Sequence, residues 1–149
     1  MAHIFEKTTV INRPLSEVFE FFSKAENLEK LTPSFLNFKI LTPQPIAMYA
    51  GTLIDYQIKL NGIPFKWRTK ITHWEPPYKF RDEQLKGPYK QWIHTHTFEE
   101  KDGKTHMTDR IEYLSPGWFL EPLIDKLYIR GNVEKIFNHR ELVLDEIFG

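Results

Sequence analysis

The sequence predicts an α+β chain in which an antiparallel sheet of about seven strands is closed by one long helix. Three observations carry that reading. One strand and two short helical segments come first. Alternation of apolar and polar residues with a period of two then recurs from residue 36 to residue 114, punctuated by turn residues. The chain ends in a stretch with apolar residues at helical spacing.

His3 to Asn12 is rich in Thr, Val, Ile and Phe and reads as a strand stopped by Arg13-Pro14. Pro14 opens a helix over Leu15 to Ser23, with Val18, Phe21 and Phe22 at helical spacing. Ala25 to Leu31 forms a second helix, ended by Thr32-Pro33. Phe38 to Leu41 is a brief strand. The segment from Pro43 to Gly51 is a loop carrying Ile46, Met48 and Tyr49, placed either as a lid or packed down on the short helices. Thr52 to Leu60 alternates, with Thr52, Ile54, Tyr56, Ile58 and Leu60 opposite Asp55, Gln57 and Lys59. Asn61-Gly62 is a strong hairpin turn signal. Phe65, Trp67, Thr69, Ile71 and His73 then oppose the basic row Lys66, Arg68 and Lys70, read as a solvated outer face. Lys79 to Leu85, Gln91 to Glu99 and Thr105 to Leu114 complete the meander, joined at Gly87-Pro88 and Lys101-Asp102-Gly103. Ser115-Pro116-Gly117 ends the sheet. Leu120, Leu123, Ile124, Leu127, Val133, Ile136, Phe137, Leu144 and Ile147 mark the closing helix, which Gly131 bends or Gly131-Asn132 splits.

Composition narrows function. With 149 residues the chain is expected to be one domain, 1–149, large enough to bury a core without staples. No cysteine is present, which removes disulfides, thiolate metal sites and a cysteine nucleophile. Lys plus Arg and Asp plus Glu are 20 each, which argues against a nucleic acid partner. No Gly-rich phosphate loop is present and no cofactor is expected. No stretch approaches the ~20 apolar residues of a membrane span, so integral membrane contact is not expected. The first residues do not read as a signal peptide, and a cytoplasmic location is the expectation. The odd feature is the count of 12 Phe, 6 Tyr and 4 Trp, which points to a heavy core or to a pocket for something apolar.

Several stretches resemble a known superfamily. The opening from Ile11 to Phe19 and the run Leu28-Glu29-Lys30-Leu31-Thr32-Pro33 are similar to the first strand and helices of START-related SRPBCC proteins. The most specific stretch is Phe80-Arg81-Asp82-Glu83-Gln84, Gly87-Pro88-Tyr89, Trp92, His94, His96 and Phe98, followed by Thr108-Asp109-Arg110-Ile111-Glu112-Tyr113 and Pro116. It resembles a bacterial branch described as polyketide-cyclase-like or ligand-binding, sometimes found beside epimerase domains. The resemblance implies a helix-grip, or birch-pollen-allergen-like, fold: a curved antiparallel sheet wrapped around the C-terminal helix, with a cavity between them. It implies little about chemistry, since members bind different ligands and only some are enzymes.

The faces of three adjacent strands gather polar residues among aromatic ones. Trp92, His94, His96 and Phe98 share a face, as do Phe80, Asp82 and Gln84, and Met107, Asp109, Ile111 and Tyr113. Burying Asp82, Gln84, His94, His96 and Asp109 unpaired costs about 1–3 kcal/mol each, so they require each other, water or a ligand. Four readings stay open: a satisfied structural network, the polar end of a ligand cavity, acid–base catalysis with His94, His96 or Asp109, and a His-His-carboxylate metal site, for which no supporting pattern is recognised. Tyr56, Trp67 and Tyr113 are candidates for the cavity wall, or plain core. The leading expectation is a binding module for a small hydrophobic molecule of lipid, polyketide or isoprenoid type. The alternative is a cyclase, dehydratase or hydrolase using a cavity His/Asp pair. A third reading is an accessory protein that docks on an unknown partner.

Overall fold

The computed structural model describes residues 2–60, 62–115 and 120–149, with the backbone alone for Leu60, Leu127 and Tyr128. The expected turn at Asn61, the sheet-ending Pro116 and Gly117, and the apolar faces assigned to Leu60 and Leu127 lie outside the described residues. Strand β1 (His3–Ile11) leads into helices α1 (Leu15–Phe22) and α2 (Asn27–Leu31). After a single 3₁₀ turn at Ser34–Leu36 come β2 (Lys39–Ile40), β3 (Leu53–Leu60), β4 (Ile63–Glu75), β5 (Lys79–Lys86), β6 (Gln91–Lys101) and β7 (Lys104–Leu114). Helix α3 (Glu121–Ile124) runs through a π-helical turn at Asp125–Ile129 into α4 (Arg130–Phe148).

The strands form one antiparallel sheet in the order β1-β7-β6-β5-β4-β3-β2. Strands β2 to β7 therefore follow a meander, and β1 closes onto β7 along its whole length, from His3 opposite Tyr113 to Ile11 opposite Thr105. The β6–β7 hairpin is unbroken, with Lys101 facing Lys104 across Asp102 and Gly103. Both turn residues have positive φ, 54° and 75°, the backbone that a tight two-residue hairpin requires. Alternation on β7 is complete: Thr105, Met107, Asp109, Ile111 and Tyr113 are buried, and the residues between them are half-exposed.

The helices cover the inner face. Val133, Phe137, Arg140, Leu144 and Phe148 are the buried residues of α4 and form one stripe at helical spacing. At one end, Phe19, Phe22, Phe80, Phe98, Met107, Leu144 and Phe148 share a core with Ile11, Val18 and Leu31. At the other, Trp67, Tyr89, Ile111 and Tyr113 pack with Ile129, Val133 and Phe137. Full burial of such a side chain contributes about 1.5–3 kcal/mol. The closing helix does not break at Gly131; its irregularity is the π-helical turn just before, and Gly131 lies inside α4.

A polar network ties that turn to the sheet. Tyr113 Oη donates to Asp125 Oδ1 at 2.7 Å, and the Ser115 amide donates to Glu121 Oε2 at 2.7 Å. Nε2 of His3 lies 2.8 Å from Oε1 of Glu121, linking β1 to α3.

Two local features differ from the sequence expectation. On α1 the buried residues are Val18, Phe19 and Phe22, and Phe21 packs partly buried against Phe22 and Phe148. On β4 a register shift between Ile71 and His73 adds a residue to the strand. Alternation slips by one there, so His73 is exposed and Trp74 turns inward onto Phe19 and Phe80, with ring centroids 5.4 and 5.5 Å away. The shift predicts opposite outcomes for the two neighbours. His73→Ala changes stability by less than about 0.5 kcal/mol. Trp74→Ala costs about 2 kcal/mol or more by urea unfolding.

Candidate functional site

The register of β5, β6 and β7 brings four polar side chains together beneath α4. Asp82 stands opposite His94, and His96 opposite Asp109. The bonds run diagonally across these pairs. His94 Nε2 lies 2.8 Å from Asp109 Oδ1, and His96 Nε2 lies 2.9 Å from Asp82 Oδ2. The two imidazoles stack, with centroids 3.7 Å apart, and Phe80 covers the far face of His96 at 4.0 Å. His96 Nδ1 sits 3.2 Å from Asp109 Oδ1 but lacks hydrogen-bond alignment, so that contact is electrostatic.

The fifth member comes from the helix. Arg140 is 7% exposed, and its guanidinium carbon lies 4.8 Å over the Phe137 ring. Its Nε and Nη2 are buried and have no hydrogen-bond partner among the described residues.

Proton affinities follow from this layout. Burial pushes both carboxyls up, but partners of opposite charge win. His96 and His94, with Arg140, hold Asp82 below the usual carboxylate range. Arg140, with His94 and His96, holds Asp109 well below it. Burial drives both imidazoles down. In His96 the attraction of Asp109 and Asp82 outweighs burial and the pKa rises. In His94 burial and the neighbouring His96 charge prevail and the pKa falls. At neutral pH both carboxyls are therefore ionised and His94 is neutral, with His96 and Arg140 facing the two carboxylates.

Asp82, His94, His96 and Arg140 border a cavity of about 150 Å³ between sheet and helices. Its wall is largely apolar: Ile54, Ile58 and Ile71 from the sheet, Ile136 and Phe137 from α4, and Phe22, Leu28 and Leu36 from the segment after β1. Met48, from the Pro43–Gly51 loop, also lines it. Ile46 and Met48 pack against the cluster of Ile54 and Ile71, whereas Tyr49 stays exposed. Thr52 pins that loop, donating from Oγ1 to the Ala47 carbonyl at 2.8 Å.

Six of the nine residues singled out as ligand contacts border the cavity: Tyr56, Trp67, Asp82, Trp92, His94 and His96. The other three stand back from it. Asp109 lies beneath the two imidazoles. Tyr113 is engaged with Asp125. Gln84 closes the β5–β6 turn, donating from Nε2 to the Tyr89 carbonyl at 2.7 Å and accepting from its amide at 3.3 Å. A β-carbon at Gly87 would sit 2.4 Å from Gln84 Oε1, so a larger residue there would push this amide off Tyr89. Phe22 and Phe137, buried residues of α1 and α4, also border the cavity. Tyr89 was not among the sequence candidates and lines the wall. Neither was Arg140, although it interrupts the stripe Val133, Phe137, Leu144, Phe148, and a cation in an otherwise apolar helix stripe is a legible signal.

Asp82, His94 and His96 offer ligand atoms within 4.8 Å of one another. The adjacent Arg140 guanidinium already places a positive charge beside this set, which disfavours a further cation.

Asp109 carries a stability prediction with a defined sign. Its depressed pKa adds stability above the unfolded-state value, and that contribution disappears as pH falls through the folded-state pKa. Asp109→Asn is expected to cost about 3–5 kcal/mol at neutral pH, since it removes the carboxylate that faces the buried Arg140 guanidinium. The difference from wild type narrows at acid pH, where Asp109 itself is protonated; urea unfolding at the two pH values checks this.

Comparison with known proteins places this geometry. Residues 11–130 match the family model described as polyketide cyclase / dehydrase and lipid transport. No curated protein matches the sequence. Among solved structures, protein CV1439 from Chromobacterium violaceum superposes with a TM-score of 0.74 at 14% identity, covering 97% of this chain and 96% of that one. Ginseng major latex-like protein 151 from Panax ginseng gives 0.71 at 10% identity, covering 99% and 97%. The nucleoside-diphosphate sugar epimerase from Corynebacterium glutamicum gives 0.68 at 21% identity, over 95% of this chain and 28% of that one. At such identities the structural matches speak for the fold alone: a sheet gripping a C-terminal helix, the helix-grip architecture of SRPBCC proteins. The matched model spans most of the sequence, and the chain belongs to the polyketide cyclase / dehydrase and lipid transport family.

Proposed function

We propose that the protein binds a small hydrophobic molecule of lipid, polyketide or isoprenoid type in the cavity between the sheet and α4. One observation carries this reading: an apolar cavity of about 150 Å³ with Asp82, His94, His96 and Arg140 in its wall. An apolar body with a few convergent polar groups is the usual build of a small-molecule site. Family membership supports the hydrophobic class of ligand. No helix of the described residues is long and apolar enough to cross a membrane.

Trp67 and Trp92 line the cavity, so binding is readable in intrinsic fluorescence. Titration with N-phenylnaphthylamine, a neutral apolar probe, is expected to change tryptophan emission saturably. Ile71→Phe places a ring in the cavity and is expected to weaken binding about tenfold or more, equivalent to about 1.4 kcal/mol. A probe response that stays linear in wild type, or an Ile71→Phe variant that is folded and binds unchanged, counts against the cavity as the site.

A second reading is favoured by His94. It is kept neutral, lines the cavity, and its Nε2 is fixed on Asp109, which leaves Nδ1 to accept a proton. On this reading the protein is a cyclase, dehydratase or hydrolase with His94 as base. Its rate is level at neutral pH and falls as pH drops through the lowered His94 pKa. His94→Asn removes that limb of the pH–rate profile; unchanged turnover in this variant excludes the role.

A further inference from the structure

We infer that the ligand is an acid, and that Arg140 holds its carboxylate through the Nε–Nη2 edge of the guanidinium. The inference rests on the binding reading above and names the ligand's head group. A guanidinium carries five donors and cannot shed its charge, so burying it without acceptors is costly. Two of those donors, Nε and Nη2, are buried without a partner among the described residues. They are neighbours on one edge of the plane, the edge that meets the two oxygens of a carboxylate in parallel. The side chain borders the cavity.

The nearby carboxylates do not fill this role. Asp82 is bonded to His96 and Asp109 to His94, and Arg140 acts on both through space. Contact with the Phe137 ring accounts for the flat face of the guanidinium and leaves its edge unused. Charge in the pocket also admits an anion. Asp82 and Asp109 already face His96 and Arg140, and Tyr56 and Tyr89 stay protonated because burial raises them. The rest of the wall suits an apolar, ring-bearing body: Tyr56, Trp67, Tyr89, Trp92 and Phe137 surround it.

The test compares naphthoic acid with naphthylmethanol, which differ at the head group and share the ring system, by calorimetry on the intact protein. Wild type is expected to bind the acid about tenfold or more tightly than the alcohol, the scale of charge-assisted hydrogen bonds to one guanidinium edge. Arg140→Gln is expected to bring the ratio close to one. Arg140→Lys keeps the positive charge beside the aspartates but loses the fork, and retains only part of the preference. Binding of neutral N-phenylnaphthylamine without any preference for the acid in wild type overturns the inference and leaves the cavity reading standing. A preference that survives in both Arg140 variants overturns the role of Arg140. If acid, alcohol and neutral probe all fail to bind, the cavity reading itself falls. The wild-type comparison decides the head group even where a variant does not fold.

Discussion

Taking charge out of water costs several kcal/mol per ion unless every charge finds its counterpart. In this chain the Asp109 carboxylate and the Arg140 guanidinium lie where solvent is nearly excluded, 2% and 7% exposed, with Asp82 and His96 beside them. They come from three adjacent strands and from the helix laid across them. The interior tolerates them only when β5, β6, β7 and α4 hold their mutual positions. A slip of one residue between β6 and β7 would turn both histidines or the aspartate to the outer face and strand the rest. The unbroken β6–β7 hairpin and the full-length pairing of β1 on β7 fix that register mechanically. The charge cluster and the sheet thus stabilise one another, and the apolar clusters at either end hold the helix over both.

Much of this was legible because a strand displays its faces in the sequence. Alternation places His94 and His96 on the side of Trp92 and Phe98, and Asp82 and Asp109 on the sides of Phe80 and Ile111. Once neighbouring strands pair, these four residues have little choice but to meet. The diagonal bonding, His94 to Asp109 and His96 to Asp82, depends on twist and rotamer, which alternation does not encode. The slip on β4 was hidden for a related reason. His73 continues the alternation of its strand, and the added residue near Thr72 shows only in the partner register.

The helix was harder to read. A cation in an amphipathic helix is ordinarily assigned to its wet face, and Arg140 is flanked by His139 and Glu141, which look like such a face. Its inward direction emerges only from its spacing to Phe137 and Leu144, and its partners lie on strands more than thirty residues away in the sequence. Gln84 and Tyr113 show the converse. Both have the composition of site residues, yet the first closes a turn and the second anchors the π-helical turn through Asp125.

The cavity wall is built of two unlike materials. One side is the sheet with α4 laid across it, and together they carry the charge cluster. The other side consists of short helices, a 3₁₀ turn and the pinned Pro43–Gly51 loop, contributing Leu28, Leu36 and Met48. Exchanging one of those three side chains reshapes the pocket without disturbing any buried charge or strand register. The dimensions of the guest and the chemistry that holds its head are thus set by separate parts of the chain, and one can be retuned while the other stays fixed.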